Sequence, residues 1–252
     1  MTVLRTRWLL DLGNSRLKCA RLDAQGRRGE IIAIGHEHPD GLASLLAQLG
    51  AARSTDEVWL ASVASAARTA ALEGALRSAG FEVRQVRTQP ACGRLRIAYA
   101  QPQRLGVDRF LALLAASTRD DGPWLLVSAG SALTVDLLAA DGEHIGGAIA
   151  PMPDSMRTAL AQGFTQLDMA PGVATDFAVD TADAIASGCD GAAIGLVERS
   201  LRLARTRLGT TPTLLVAGGA AALLASIEHA PVFVLPALVL DGMAAFARLQ
   251  DA

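Results

Sequence analysis

A polar turn after the first apolar run of the chain contains residue types that bind phosphate. Asp11 ends that run, residues 12–15 follow as Leu-Gly-Asn-Ser, and Lys18 lies three residues beyond. Gly13 lets the backbone bend sharply and present amide N–H groups with no Cβ in the way. Asp11 can hold Mg²⁺ through water, while Lys18 and the amides can bind phosphate oxygens. The turn suits a metal-bound triphosphate, and an ordinary hairpin with a polar turn is the alternative.

Two later glycine turns could complete a nucleotide site. Residues 128–131 read Ser-Ala-Gly-Ser, and their hydroxyls and amides can receive phosphates. Gly218 and Gly219 follow another apolar run, where paired glycines would let adenine or ribose approach the backbone. One such turn is common, but three in this order are much less so. The sequence contains no GxxxxGK[ST], GxGxxG or GxSxG pattern, which removes the usual support for P-loop, dinucleotide and serine-hydrolase sites.

A third group of candidate residues lies in the segment YAQPQRLGVDR, residues 99–109. Pro102 and Gly106 indicate a loop, and Asp108 and Arg109 stand at the start of an apolar helix. An aspartate at a helix start is often only a cap or a partner of the helix dipole. If the helix start faces a ligand cleft, Asp108 can accept a hydroxyl proton, and Arg109 can bind an acidic group.

The elements that must position these residues alternate between short apolar runs and helical stretches, which is typical of an α/β protein. The predicted strands cover residues 8–11, 16–22, 30–34, 58–63, 81–86, 124–127, 132–138, 144–149, 213–216 and 232–235. The predicted helices cover residues 41–49, 66–78, 154–162 and 183–208, with a further helical segment after each of the last two strands. Asp141-Gly142 reads as a hairpin turn.

An internal repeat relates the two halves of the chain. LLDLGNSRLKCARLDAQG near the N-terminus aligns with LLVSAGSALTVDLLAADG from Leu125, with one gap near the end. Chance similarity between apolar strands is the alternative, because repeats need structural context. Two similar α/β halves would form a cleft, where small ligands bind. We therefore expect two domains, residues 1–115 and 116–252, with a cleft between them.

Composition excludes several classes of protein. With 252 residues, 51% of them hydrophobic, the chain can form a large core, and its net charge of −2 provides no basic field for nucleic acid. Cys19, Cys92 and Cys189 lack CxxC spacing, which disfavours disulfides and zinc and fits a reducing cytoplasm. Charges or Gly and Pro interrupt every apolar stretch before the ~20 residues that span a bilayer. We expect a soluble cytoplasmic protein without a membrane partner.

Taken together, these segments resemble the type III pantothenate kinases, from Leu10 to about Ala244. The landmarks, in chain order, are DLGNSRLK, YxxPxxLGVDR, GSALTVD, GGAIAP, DTADAIASGCDGA and VAGG. No single motif is decisive, but their order and spacing make the match specific. The resemblance implies two tandem ribonuclease-H-like domains (the actin-like ATPase fold), a homodimer, and transfer of the ATP γ-phosphoryl group to pantothenate. That reaction is the first committed step of coenzyme A biosynthesis.

The resemblance also implies roles for individual residues. The first phosphate motif of the family falls on Asp11, Leu12, Gly13, Asn14, Ser15, Arg16, Leu17 and Lys18, and a second ATP contact falls on Ser131, where the family usually has Thr. The substrate contacts fall on Tyr99, Gly106, Val107, Asp108, Arg109 and Thr181. Asp108 corresponds to the proton acceptor, and Thr181 to a contact from the neighbouring subunit.

Two positions depart from the family pattern. Ser128 stands where the family typically has an aspartate that helps to hold a monovalent cation such as K⁺ or NH₄⁺. A neutral hydroxyl is a poorer ligand for a hard cation than a carboxylate, which weakens the expectation of cation dependence. Pro151-Met152 replaces the usual Pro-Gly, so the following helix is expected to start differently.

The expected mechanism uses Mg-ATP and follows from the physics of phosphoryl transfer. The transition state is loose, so positioning and charge neutralisation supply most of the rate. Asp11 would hold Mg²⁺ through water, and Lys18 with the turn amides would neutralise phosphate charge. Asp108 would orient the substrate hydroxyl and take its proton late in the reaction, while Arg109 would place the pantothenate carboxylate.

Two alternatives remain open from sequence. A kinase of the same superfamily could act on a sugar or another small alcohol, although the Tyr99 loop argues against it. A non-catalytic regulatory relative is the other, since some family members were first described as accessory factors for virulence-gene transcription. The presence of Asp11, Lys18, Asp108 and Arg109 is hard to explain in such a protein.

Overall fold

The computed structural model describes residues 6–35, 40–53, 56–119, 121–164, 166, 170–218, 227 and 230–251. The chain divides into two compact units. The first comprises Met1–Asp120, Asp141–His144 and Ala237–Ala252, and the second comprises Asp121–Ala140 and Ile145–Pro236. This division differs from the expected one, because the C-terminal segment and a short turn from mid-chain belong to the first unit.

Within the described residues, the secondary structure follows the α/β pattern predicted from sequence. The strands are β1 (Arg7–Leu12), β2 (Arg16–Leu22), β3 (Arg28–Gly35), β4 (Glu57–Ser62), β5 (Glu82–Gln85), β6 (Ala91–Cys92), β7 (Leu95–Arg96), β8 (Trp124–Ala129), β9 (Ala132–Leu138), β10 (His144–Pro151), β11 (Thr213–Gly218) and β12 (Val232–Val234). The helices are α1 (Gly41–Leu49), α2 (Ala66–Ser78), α3 (Val107–Ser117), α4 (Pro153–Gly163), α5 (Thr181–Leu208) and α6 (Leu238–Gln250).

The first unit is built on a five-stranded sheet with the order β3-β2-β1-β4-β5. β1 runs antiparallel to β2 and parallel to β4, so the carboxyl ends of β1 and β4 lie at the same edge. Alternate apolar residues of both strands, such as Leu10 and Leu60, pack with Leu45 of α1 and Leu76 of α2. The period of two in these strands therefore buries one face of the sheet under α1 and α2.

The helices α3 and α6 pack closely against each other within the first unit. The Phe246 ring of α6 makes edge contacts with Trp59 of β4 and Phe110 of α3, at centroid distances of 5.8 and 6.2 Å. A Cβ at Gly242 of α6 would lie 1.9 Å from the carbonyl oxygen of Leu111 on α3. Only glycine fits there, and the packing explains why α6 belongs to this unit.

The second unit repeats the topology of the first. Its sheet has the order β10-β9-β8-β11-β12, with β8 antiparallel to β9 and parallel to β11. The buried residues of β8 and β11, including Val127 and Val216, pack with Ala193 and Val197 of α5. The internal repeat predicted from sequence is therefore confirmed, since two sheets with the same strand order follow each other along the chain. None of the described helices is long and apolar enough to cross a membrane.

Most element boundaries agree with the predictions, and the differences have local causes. β2, β9, α1 and α2 have the predicted bounds. α4 begins at Pro153, one residue earlier than predicted, because proline suits the first position of a helix. The two-stranded hairpin of β6 and β7 was not predicted, since each of its strands has only two residues. The helical segment expected after β11 lies outside the described residues.

Gly242→Ala should destabilise the protein, because the added methyl group would overlap the Leu111 carbonyl. Overpacking of a buried site typically costs ~1–3 kcal/mol. Gly74→Ala on α2 is the matched control, since an added Cβ there meets no atom within 4 Å, and it should raise the free energy of unfolding by ~0.5–1 kcal/mol. Urea unfolding of both variants measures the difference. Equal stability of the two would contradict the close packing of α3 and α6.

Candidate active site

The polar turn between β1 and β2 lies at the carboxyl edge of the first sheet. The amide of Gly13 donates a hydrogen bond to the carbonyl of Arg16 at 3.1 Å and closes the turn. Asn14 and Ser15 are exposed at its tip, whereas the side chains of Leu12 and Leu17 are buried in the core. Of the eight residues in the predicted phosphate motif, these two leucines could therefore contact a ligand only through their backbone.

Two contacts from neighbouring elements hold this turn in place. The amide of Val63, just after β4, donates to the carbonyl of Leu12 at 3.1 Å. Arg68 of α2 donates a hydrogen bond from Nη1 to the carbonyl of Asn14, also at 3.1 Å. The backbone amide of Arg68 donates to the hydroxyl of Ser65, the N-cap residue of α2. Sequence reasoning missed Arg68, because an arginine in the first turns of an amphipathic helix gives no sign of its partner.

Asp11 is a carboxylate whose pKa responds to two other charged residues, Lys18 and Asp108. It lies directly opposite Lys18 in the register of β1 and β2. Burial raises the pKa of Asp11 from its ordinary value of 3.8 to about 6, the Lys18 ammonium lowers it, and the Asp108 carboxylate raises it further. Lys18 and Asp108 thus both lie close enough to Asp11 to influence its pKa. Residues separated by about a hundred positions in sequence are therefore brought together, as the candidate site requires.

The loop before α3 places Asp108 in the first turn of that helix. Pro102–Arg104 form a single 3-10 turn, and Gly106 is the residue that precedes the helix. The Oδ1 atom of Asp108 accepts a hydrogen bond from the Arg109 amide at 2.8 Å. A Cβ at Gly106 would lie 2.6 Å from the same oxygen, so glycine leaves room for the carboxylate. Asp108 is half-buried, as a group that meets a ligand should be.

Arg109 is a buried cation with an aromatic partner. Arg109 is only 6% exposed to solvent, and its Nη1 donates a hydrogen bond to the Tyr99 hydroxyl at 3.3 Å. The guanidinium carbon lies 6.0 Å from the centroid of the Tyr99 ring. The Tyr99 ring stacks in turn on His144, with centroids 6.0 Å apart and an interplanar angle of 21°. The predicted substrate residues Tyr99 and Arg109 therefore form one unit of structure.

In the second unit, the turn between β8 and β9 occupies the position that the polar turn occupies in the first. Ser128 lies opposite Thr134 of β9 and Ala217 of β11, just as Asp11 lies opposite Lys18 and Ala61. The register thus aligns Asp11 with Ser128. The one-residue gap of the repeat lies in the turn itself and not near the end of the repeat, because three residues separate β1 from β2 and two separate β8 from β9.

Gly218 ends β11 beside this second turn. Its φ is +97°, and a Cβ there would lie 2.2 Å from the carbonyl oxygen of Ala129, so the position accepts only glycine. Ser131 is exposed in the same turn. The predicted contacts Ser128, Ser131 and Gly218 therefore share one sheet edge, whereas Gly219 lies outside the described residues.

Thr181 is the first residue of α5 in the second unit. Asp180 caps this helix by accepting a hydrogen bond from the Asp183 amide at 2.9 Å. Thr181 is exposed and borders a wide pocket with mostly apolar lining from α4, α5 and the segment before α5. Val179, in that segment, is 99% exposed. The structure thus places Thr181 on an apolar surface of the second unit.

Comparison with known proteins identifies the relatives of the chain. The family profile described as type III pantothenate kinase matches residues 8–203. A protein of Stenotrophomonas maltophilia (strain K279a) is 47% identical over 246 residues, which cover 97% of this chain and 98% of the relative. A protein of Xanthomonas campestris pv. campestris (strain 8004) is 48% identical over 240 residues, with 95% and 96% covered. Both relatives bear the name type III pantothenate kinase.

Solved structures share the fold at low sequence identity. A Sinorhizobium meliloti protein assigned as a 2-dehydro-3-deoxygalactonokinase gives a TM-score of 0.61 at 16% identity, with 96% of this chain and 98% of that chain covered. A Campylobacter jejuni protein assigned to the Baf family of transcriptional activators gives 0.58 at 18% identity, with 97% and 98% covered. These similarities confirm the predicted fold, two ribonuclease-H-like units of the actin-like ATPase class, and show nothing about activity.

Asp11→Asn should stabilise the ligand-free protein at neutral pH. The pKa of Asp11 is raised on folding, so its favourable contribution is complete below about pH 3.8 and is lost as the pH rises through about 6. Asparagine removes the buried charge, and the free energy of unfolding at pH 7.5 should rise by up to about 3 kcal/mol. The gain should disappear near pH 4.

Urea unfolding at pH 7.5 and pH 4 measures this effect. Glu30→Gln is the matched control, because Glu30 is an exposed carboxylate on β3 of the same sheet and its replacement should leave stability unchanged at both pH values. If Asp11→Asn is no more stable than the control at pH 7.5, the burial cost assigned to Asp11 is wrong.

Proposed function

This chain belongs to the type III pantothenate kinase family, and on that premise we propose that it transfers the γ-phosphoryl group of ATP to the 4′-hydroxyl of pantothenate. The product would be 4′-phosphopantothenate, in the first step of coenzyme A biosynthesis. The protein is accordingly a transferase that uses an alcohol group as acceptor. The observation that supports this reaction most directly is the position of Asp11 opposite Lys18 in the register of β1 and β2, with the Asp108 carboxylate close enough to raise the pKa of Asp11. Asp108 in turn precedes Arg109, which is paired with Tyr99.

The phosphate end of the site would be formed by Asp11, Lys18 and the turn between β1 and β2. The exposed tip of the turn can offer backbone amides and the Asn14 and Ser15 side chains to phosphate oxygens. Ser131 and the backbone of Gly218 would contribute further nucleotide contacts from the second unit. Lys18, which is half-buried, would place its ammonium near the transferred group. Together these groups would neutralise charge in a loose transition state.

The residues at this turn fit a magnesium ion that arrives with ATP. A carboxylate that burial makes costly to ionise, such as Asp11, gains from a nearby cation. In the described part of the chain, no group of three or more His, Cys, Asp and Glu side chains could hold a metal. Mg²⁺ is usually held by one or two carboxylates, water and substrate phosphates, and it would supply neutralisation of the phosphate charge.

Asp108 would accept the proton of the pantothenate hydroxyl. Its Oδ1 atom is held by the Arg109 amide, which fixes the carboxylate in the first turn of α3. An aspartate is too weak a base to ionise an alcohol in advance, so it would orient the hydroxyl and take the proton as the new bond forms. Arg109 would bind the pantothenate carboxylate, because a guanidinium matches a carboxylate with two parallel hydrogen bonds.

Monovalent-cation dependence is expected to be weak. Ser128 offers one neutral hydroxyl at the position where a carboxylate would hold K⁺ or NH₄⁺ more strongly. Thr134, its cross-strand partner, is neutral as well. Turnover of the wild type should therefore respond less to added K⁺ than turnover of Ser128→Asp. A strong K⁺ requirement in the wild type would contradict this expectation.

We place this activity in a homodimer in the cytoplasm. The exposed apolar residues around Thr181, Val179 and Phe164 among them, would be covered by a second subunit, which would bring Thr181 to the pantothenate site of its neighbour. A mass of one chain by light scattering would exclude this arrangement. The cytoplasmic location is supported by Cys19, Cys92 and Cys189, which are buried and form no disulfide.

Asp108→Asn should lower kcat for pantothenate phosphorylation by roughly 10²-fold or more, because the hydroxyl proton loses its acceptor. The KM for ATP should change little, since the amide keeps the shape of the side chain. A coupled assay of ADP release, with and without pantothenate, measures both constants. Glu30→Gln should retain wild-type kinetics and serves as the control.

The same assay separates the proposed function from its rivals. Release of ADP with a sugar but not with pantothenate would favour a sugar kinase, and no release with either would favour a regulatory protein. Neither alternative is favoured by membership of this family. Wild-type turnover by Asp108→Asn would remove Asp108 from the mechanism while leaving the substrate assignment in place.

A further inference from the structure

A short turn from the middle of the chain is part of the first unit. Residues Asp141–His144 belong to that unit, although β9 before them and the rest of β10 after His144 belong to the second. The amide of Arg96, in β7, donates to the carbonyl of Gly142 at 3.0 Å. The backbones of Arg96 and Glu143 also pair as an isolated parallel β-bridge. The turn is therefore attached to the segment that leads to Tyr99.

Close backbone packing fixes the position of this turn. Gly142 has a φ of +91°, and a Cβ there would lie 2.4 Å from the carbonyl oxygen of Arg94. Only glycine allows the two backbones to approach so closely. The Arg96–Asp141 ion pair adds little, since its side chains are 56% and 64% exposed and 3.5 Å apart. The backbone contacts thus determine where the end of the turn, His144, must lie.

His144 is fully buried at the end of the turn, and its ring lies against the ring of Tyr99. The centroids are 6.0 Å apart, and the rings are inclined by only 21°, which is an offset-stacked arrangement. The Tyr99 hydroxyl accepts from Arg109, itself 6% exposed. A continuous line of contacts therefore runs from the turn through His144 and Tyr99 to the Arg109 guanidinium.

We propose that His144 is a positioning residue, which acts through the Tyr99 ring to hold the Arg109 guanidinium where it binds the carboxylate of the acceptor substrate. This inference rests on the proposed function and extends it. A long arginine side chain has many rotamers, and binding a carboxylate costs free energy if the side chain must first be ordered. The ring stack removes that cost by restricting Tyr99, whose hydroxyl then restricts Arg109.

A purely structural role for His144 makes a different prediction. If His144 only filled space, its loss would lower stability and would affect both substrates, or neither, to the same extent. A positioning role acts on one substrate, because Arg109 and Tyr99 lie at the acceptor end and the turn between β1 and β2 at the phosphate end. The ratio of the two KM values therefore distinguishes the two roles.

His144→Leu should raise the KM for pantothenate by about 10-fold, which corresponds to about 1.4 kcal/mol. Its kcat and its KM for ATP should stay within about twofold of wild type. His144→Phe, which keeps a flat ring against Tyr99, should restore most of the pantothenate KM. Asp141→Asn, in the same turn but exposed and not in contact with Tyr99, is the control and should match wild type.

A double mutant tests whether His144 acts through Tyr99. In a Tyr99→Ala background, the further change His144→Leu should add less than about twofold to the pantothenate KM, because the intermediate ring is already absent. Thermal unfolding and circular dichroism of every variant identify any that do not fold. If His144→Leu does not fold, the same comparison is made with His144→Gln, which also removes the ring that stacks on Tyr99.

The outcomes separate the two levels of the proposal. If the wild type does not phosphorylate pantothenate, the proposed function fails and the role of His144 fails with it. If the wild type is active and His144→Leu has a wild-type KM for pantothenate, or raises both KM values equally, only the positioning role is overturned. Additive effects of His144→Leu and Tyr99→Ala would overturn it too.

Discussion

The burial of the Asp11 carboxylate is the constraint on which the rest of the candidate site depends. The parallel pairing of β1 with β4 places Asp11 opposite Ala61, between the buried Leu10 and Leu12. The protein solvates the resulting charge poorly, Lys18 offsets only part of the cost, and Asp108 contributes charge of the same sign. In the proposed function, a metal-bound ligand would supply the positive charge that folding alone does not provide. Stability and ligand binding therefore make opposite demands on this residue.

The duplicated topology shows how one framework can serve two chemical purposes. Both sheets present a polar residue at the same register position, one residue before the end of the central strand. In the first unit this position and its cross-strand partner are charged, Asp11 and Lys18, whereas in the second they are hydroxyls, Ser128 and Thr134. The backbone thus determines where the polar groups lie, and the side chains determine what kind of ligand group each turn could accept in the proposed site.

The sequence was sufficient to predict features that depend on local pattern. Strands such as β2 and β9 and helices such as α1 and α2 were predicted with the observed bounds, because their apolar periodicity and flanking turns are contained within them. The repeat predicted two sheets of like topology for the same reason. The membership of α6 in the first unit was not predictable, because it depends on how closely Gly242 approaches Leu111 in α3.

The same distinction applies within the candidate site. Asp11, Lys18 and Asp108 could be proposed from sequence, because a carboxylate after an apolar run and an acid at a helix start have recognisable chemistry. Arg68 and His144 could not, because each is defined by a partner distant in sequence: the carbonyl of Asn14 and the ring of Tyr99.

Arg109 shows why a buried charged side chain depends on partners that are distant in sequence. Burying the charge of Arg109 is costly unless its N–H groups find acceptors. The Tyr99 hydroxyl supplies one of them, and it can do so only while its ring is held in one orientation. Tertiary packing determines which residue orients the ring. Here it is the fully buried His144, which is distant from Tyr99 in sequence. The sequence therefore indicates which residue types could act at the site, whereas the fold determines how their side chains are oriented.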